Sequence, residues 1–223
     1  ARNMLDLSLR QCRLAMFDLD GTLVDSVLDI HAALNQALVI CGYPVVAESQ
    51  SREWVGNGAR ALVNRALLGC LHPEREHIEL ERVLDVFYTQ YRVENGRHSV
   101  CYDGAQALLA RLRAVGCKVA IVTNKPFEHA QQLVAQLALE HDVLLGGDSL
   151  AHRKPHPQPL LHCLAHFSVR PEEAVMVGDS VSDFEAAHAA KVPVIGVSYG
   201  YNHGLPIDAR NLDGLVDSLN ELG

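Results

Sequence analysis

Asp18 and Asp20 stand two residues apart in Phe17-Asp18-Leu19-Asp20-Gly21-Thr22-Leu23-Val24-Asp25-Ser26, directly after the apolar run Leu14-Ala15-Met16-Phe17. Residues two apart on an extended chain face one side. Two like charges about 4 Å apart repel by roughly 4 kcal/mol at an effective dielectric near 20, so such a pair calls for a cation or for one member to be protonated. Both remedies suit metal-assisted phosphoryl transfer. A bare Asp-x-Asp-Gly, however, is more often a strand followed by an Asp-Gly turn.

Further polar groups stand just past other apolar runs. Thr123-Asn124-Lys125 brings a hydroxyl and backbone N–H groups ahead of the helix predicted after Pro126, a cradle for an anion. By itself Thr123 would be an ordinary N-cap. Lys154, in Arg153-Lys154-Pro155, precedes a predicted helix whose positive end disfavours a cation, unless an anion faces it. Gly178-Asp179-Ser180-Val181-Ser182-Asp183 adds two carboxylates four residues apart, which taken singly would be ordinary acids opening a helix.

The elements that must position these groups follow from hydrophobic periodicity. After Ser26, Val27, Ile30, Leu34, Ala37, Leu38 and Cys41 repeat at helical spacing, and two more helical runs follow, one after Gly56-Asn57-Gly58 and one over Glu76 to Tyr91. No convincing strand interrupts this block. From Asp103 onward helices and strands alternate. The strands are Lys118 to Val122, Asp142 to Leu145, Ala174 to Val177 and Pro193 to Val197; the helices are Gly104 to Val115, Phe127 to Leu139, Gln158 to Phe167, Asp183 to Ala190 and Leu212 to Leu222. This pattern predicts an α/β fold, a doubly wound, mainly parallel, Rossmann-like sheet. Asp18 and Thr123 lie much further apart than the roughly 30 residues of one βαβ unit, so the helical block is an insertion. The expected division is a catalytic core of residues 1–24 and 99–223 and an α-helical cap domain of residues 25–98, with hinges near Val24 to Ser26 and Arg97 to Tyr102.

Composition narrows the partners. The chain of 223 residues carries 19 basic and 27 acidic residues, a net charge of -8, with no Lys/Arg run, which disfavours a nucleic-acid partner. The six cysteines form no C-x-x-C pair and read as reduced residues of a cytoplasmic protein. Charges at Arg2, Asp6, Arg10 and Arg13 leave no signal-peptide core, and no uncharged apolar run is long enough to span a membrane. Among twelve histidines, His152, His156, His162 and His166 have metal-like intervals, but Pro155, Pro157 and Pro159 interrupt them, so they are read as structural or surface residues.

Asp18/Asp20, Thr123, Lys154 and Asp179/Asp183, in this order at predicted strand ends, resemble the four motifs of the haloacid-dehalogenase-like hydrolase superfamily, whose members with an α-helical cap carry it after the first motif. Within the superfamily, Trp54-Val55-Gly56-Asn57-Gly58-Ala59 and Ser198-Tyr199-Gly200-Tyr201-Asn202 look like the phosphoglycolate phosphatase branch. The resemblance implies that Asp18 is a nucleophile forming an aspartyl-phosphate and Asp20 the general acid and base. Thr123, Asn124 and Lys154 would bind the phosphoryl group, and Mg²⁺ would be held by Asp18, the carbonyl of Asp20, Asp179 and Asp183. Gly58 and Arg60 are the expected cap residues for a substrate carboxylate, with Arg52 and Arg65 close behind. The expected substrate is a small phosphate monoester, 2-phosphoglycolate first, for a monomer or homodimer. A sugar-phosphate phosphatase, a phosphoglucomutase-like phosphotransferase and a non-catalytic phosphate-binding regulator are the alternatives. Gly196-Val197-Ser198-Tyr199-Gly200 also matches the nucleophile elbow of serine esterases, although Asn202, Gly204 and Pro206 oppose the helix that motif requires.

Overall fold

The computed structural model describes residues 11–222; Arg2, Asp6 and Arg10, part of the N-terminal charge pattern, lie outside them. Strand β1 (Leu14–Phe17) is fully buried and forms the centre of the sheet. Its alternation sends Ala15 and Phe17 into one apolar layer and Leu14 and Met16 into the other. Both faces are therefore covered, which is why the run is continuously apolar.

Beyond β1 the chain passes through β2 (Val24–Asp25), α1 (Val27–Ile40), α2 (Glu48–Trp54), α3 (Ala59–Leu68), α4 (Leu80–Glu94) and β3 (Val100–Cys101). There follow α5 (Ala105–Ala114), β4 (Lys118–Val122), α6 (Phe127–Gln136), β5 (Val143–Leu145), α7 (Gln158–Phe167), β6 (Ala174–Gly178), α8 (Val181–Ala189), β7 (Val194–Val197) and β8 (Gly214–Val216). The six-stranded sheet has the order β5-β4-β1-β6-β7-β8 and is parallel throughout. Leu108, Leu109 and Leu112 of α5 and Leu133 of α6 pack with the Phe17 layer, whereas Leu160 and Cys163 of α7 and Ala186 and Ala187 of α8 pack with the Met16 layer. The chain winds from β1 toward β5 and then returns across β1 toward β8. That reversal opens a crevice at the carboxyl ends of β1, β4 and β6, where open α/β sheets bind ligands.

Helices α1 to α4 enclose an apolar cluster of their own around Leu34, Val63, Val83 and Phe87. At its base β2 and β3 pair antiparallel, Val24 with Cys101 and Asp25 with Val100. The fully buried Asp29 closes the same base, because its carboxylate accepts from the backbone N–H groups of Gly96, His98 and Ser99 at 2.8–3.0 Å and from the Ser99 hydroxyl. The entry and exit of the inserted helices are thus fastened together.

The structure differs from sequence expectation at the short paired strands β2 and β3, where only hinges were expected, and in three further elements. Leu212 to Leu222 is not a helix: Gly214–Val216 adds a strand to the open edge of β7, and a 3₁₀ turn follows at Leu219–Glu221. Leu212, Leu215, Val216, Leu219 and Leu222 have helical spacing, but ladder bonds from β7 satisfy this backbone, and Glu221 accepts from the N–H groups of Asp217 and Ser218. Helix α2 lacked an apolar stripe to announce it, since only Ser51 and Trp54 of its seven residues are buried. The helix expected from Glu76 begins at Leu80, because Asn64 binds the His77 N–H and the preceding turn is held outside it.

Candidate active site

Four loops at the carboxyl ends of β1, β4, β5 and β6 bring the sequence-predicted groups together. Lys154, in the loop after β5, is 2 % exposed, and its Nζ lies 3.0 Å from an Asp18 oxygen and 2.7 Å from an Asp183 oxygen while donating to the Val122 carbonyl at 2.6 Å. Burial alone would lower the pKa of this ammonium, but Asp18 and Asp183 raise it above its ordinary value and keep it charged. Asp183 also accepts from the N–H groups of Asp179 and Ser180 at 3.1 and 3.2 Å, which fixes the turn entering α8.

Asp179 is held between two segments. Its carboxylate accepts from the Thr22 hydroxyl at 3.1 Å and from the Tyr201 N–H at 2.7 Å. A Cβ at Gly21, where φ is +84°, or at Gly200 would overlap the Asp179 carboxylate, so both glycines permit the close approach. Burial, then Asp183, pushes the Asp179 pKa up to about 7, and the same two causes carry Asp18 well above the usual carboxylate range.

One oxygen from each of Asp18, Asp179 and Asp183 lies within 4.8 Å of the others. Three crowded carboxylates beside one lysine are an excess of negative charge, and their hard oxygens form a donor set suited to Mg²⁺. The Asp20 side chain is turned elsewhere. One of its oxygens lies 2.7 Å from Lys125 Nζ and accepts from the Ser26 hydroxyl at 2.5 Å. Lys125 is buried as well; burial lowers its pKa, but Asp20 raises it above its ordinary value.

Thr123 accepts the Lys125 N–H on its hydroxyl oxygen at 3.1 Å, leaving the hydroxyl proton free to donate. Asn124 donates to the carbonyls of Lys154 at 2.9 Å and Gly56 at 3.2 Å, so it ties the β4 loop to the inserted helices. Above Asp18 and Asp20 is a cavity of about 500 Å³, its open mouth included, with Thr123, Asn124 and Lys125 on the sheet side and Gly58, Phe87 and Tyr91 among the residues of the roof.

This arrangement agrees with the pattern of a known family, which matches residues 15–197 under the description haloacid dehalogenase-like hydrolase. The chain belongs to the haloacid dehalogenase-like hydrolases. A curated relative of this hydrolase, the phosphoglycolate phosphatase of Nitrosococcus oceani, is 38% identical over 216 residues, covering 96% of each chain. That of Pseudomonas putida is 41% identical over 213 residues, covering 94% of this chain and 78% of the relative. The crystal structure of a predicted phosphoglycolate phosphatase from Haemophilus somnus superposes with a TM-score of 0.83 at 34% identity, covering 93% of this chain and 95% of the other.

Not every sequence-predicted residue of the hydrolase reaches the cavity. Gly58 lines it, but Arg60 does not: its guanidinium pairs with Glu76 at 2.6 Å and Glu81 at 2.7 Å on the surface. A long side chain in the first turn of α3 is close in sequence to Gly58 yet points where the glutamates are. Arg65 is also committed, donating to the carbonyls of Trp54 and Leu71 and to Asn57 Oδ1. Arg52 pairs with Glu48 and lies over the Tyr201 ring, 5.4 Å from its centre. Ser198 donates to Asp217 at 2.5 Å and has no histidine among its hydrogen-bond partners, so the esterase elbow is not built.

Sequence reasoning assigned no task to Lys125, Ser26, Thr22 or Tyr201. Lys125 carried a usable signal, since it too is a cation just before a helix N-terminus, the argument that singled out Lys154. The Tyr201 hydroxyl caps α1 by accepting the N–H groups of Ser26 and Val27 at 3.0 and 3.2 Å and donates to Asp25 at 2.7 Å. Nothing local to Ser198-Tyr199-Gly200-Tyr201 announces a partner some 175 residues away.

Proposed function

We propose that this hydrolase is a Mg²⁺-dependent phosphatase of small phosphate monoesters, with 2-phosphoglycolate as its principal substrate, working through an aspartyl-phosphate on Asp18. The observation that carries the mechanism is the separation of the two carboxylates. Asp18 stands with Lys154 and the acid cluster, whereas Asp20, in the same cavity, stands with Lys125 and Ser26. The substrate class follows from the relatives at 38–41% identity that are named phosphoglycolate phosphatase.

In the first step an Asp18 oxygen attacks phosphorus, the P–O bond to the alkoxide breaks, and Asp20 gives that alkoxide its proton. In the second, Asp20 takes a proton from water, the water oxygen attacks phosphorus, and Asp18 leaves with inorganic phosphate released. The Thr123 hydroxyl and the Asn124 N–H hold phosphoryl oxygens, and Lys154 offsets the charge of Asp18 and phosphate. Asp18, Asp179, Asp183 and the Asp20 carbonyl would hold Mg²⁺, which supplies positive charge against the phosphoryl oxygens when bound. Lys125 and Ser26 orient Asp20 toward the leaving group. Since uncatalysed monoester hydrolysis is extremely slow, fixed charge and positioning must supply most of the acceleration.

Incubation with a panel of phosphate esters, with Mg²⁺ or with EDTA, tests the reading. Release of inorganic phosphate fastest from 2-phosphoglycolate, and only with Mg²⁺, is expected. Preference for a sugar phosphate, or isomerisation with organic phosphate conserved, would replace the substrate or the reaction; no turnover on any ester would leave a phosphate-binding regulator.

A further inference from the structure

Buried polar atoms are almost always hydrogen-bonded, because leaving one unpaired costs the full penalty of removing it from water. Among the described residues four buried side-chain atoms lack a partner: the Tyr91 hydroxyl, His129 Nδ1, Asn124 Oδ1 and Asn95 Oδ1. Tyr91, His129 and Asn124 all line the cavity that contains Asp18 and Asp20, so the unpaired groups are concentrated where a substrate must lie.

Tyr91 and His129 form a pair. Each is 2 % exposed, and their ring centres are 4.9 Å apart, edge to face. Tyr91 comes from α4 in the inserted helices and His129 from α6 beside the sheet, so the pair exists only with the two parts brought together. His129 is held from its other neighbours too: Tyr88 stacks on it at 5.8 Å, and Asn95 donates to its backbone carbonyl at 2.9 Å. Lys125 Nζ lies 5.0 Å from the centre of the Tyr91 ring, placing a positive charge beside the pair.

We infer that the Tyr91 hydroxyl and His129 Nδ1 receive the carboxylate of the substrate, and so select an ester whose leaving alcohol carries a carboxyl group. The inference rests on the proposed substrate and names the residues that read it. Burial raises the pKa of the Tyr91 hydroxyl, which therefore keeps its proton and can donate. Burial, and then Lys125, lowers that of His129, whose neutral ring holds one proton that Nδ1 can present to an acceptor. Two neutral donors beside an ammonium fit a single anionic oxygen pair, and among the described residues no guanidinium lines this cavity to take that role. The apolar roof around Phe87, Val55 and Leu62 removes competing water and strengthens such bonds.

The test compares 2-phosphoglycolate with ethyl phosphate, which differs in having a methyl group in place of the carboxylate. The quantity read is the ratio of their kcat/KM values, which does not depend on the fraction of enzyme that is folded. For Tyr91→Phe and for His129→Phe we expect this ratio to fall about tenfold from the wild-type value, mostly through KM for 2-phosphoglycolate, as loss of one hydrogen bond to a charged group implies. If the wild type prefers 2-phosphoglycolate and both variants keep its ratio, the inference fails and the proposed substrate stands. If the wild type turns over other esters without favouring 2-phosphoglycolate, the substrate reading fails and takes the inference with it.

Discussion

Lys125 Nζ lies 2.7 Å from Asp20 Oδ1, a bond that joins the loop after β4 to the loop after β1 and directs Asp20 away from the acid cluster. Because Lys125 is buried and the Asp20 side chain is only 12% exposed, the ammonium has little bulk water to share its charge with and holds the carboxylate in one place. Lys125→Met should therefore lower kcat by about a hundredfold, with a much smaller change in KM. Steady-state kinetics on 2-phosphoglycolate check this, and Ser26→Ala, which removes the second donor to Asp20, should give a milder loss.

Asp18→Asn should abolish turnover, with a loss of about 10⁴-fold or more, because the amide cannot serve as the nucleophile. The fold should survive, since Asn can still accept the Leu19 N–H that Asp18 accepts at 2.8 Å. Asp20→Asn should also be severely impaired. Phosphate release together with circular dichroism decides both; full activity in either variant would sink the mechanism.

Removal of Mg²⁺ should change stability in a pH-dependent way. The folded protein without a cation keeps the Asp179 proton up to about pH 7, whereas the unfolded group releases it near its ordinary 3.8. Stability from this group is thus fully present below pH 3.8 and is lost as pH rises through about 7. Cation binding opposes that loss, so the Tm increase produced by Mg²⁺ over EDTA should be larger at pH 8 than at pH 5.5. Equal increases at both values would count against Asp179 as a ligand.

The base of the inserted helices should be sensitive to Asp29. Asp29→Ala leaves three backbone N–H groups and the Ser99 hydroxyl without their acceptor in a buried site. A loss of about 3 kcal/mol in denaturant unfolding is expected.

Arg60→Ala should alter kcat/KM by less than about twofold, and equally for 2-phosphoglycolate and p-nitrophenyl phosphate, because its guanidinium is spent on Glu76 and Glu81. A selective rise in KM for 2-phosphoglycolate would restore Arg60 to recognition.

Much of this protein was legible in its sequence. Apolar runs ending at Asp18, Thr123 and Asp179 marked β1, β4 and β6, because a strand covered on both faces has to be continuously apolar and its groups have to emerge at its end. The order of the charged groups, and the helical block after the first of them, followed from the same pattern. The tertiary structure decided what depends on distant partners. Leu212 to Leu222 has the spacing of a helix yet ends as a strand, since the free edge of β7 offered a ladder that local propensity could not foresee. Arg60 and His129 show the same limit from opposite sides. Arg60 had the right charge near the right glycine, but Glu76 and Glu81 claim it; His129 had no distinguishing neighbour in sequence, and only the packing of α4 against α6 leaves its ring buried, unpaired and facing Tyr91.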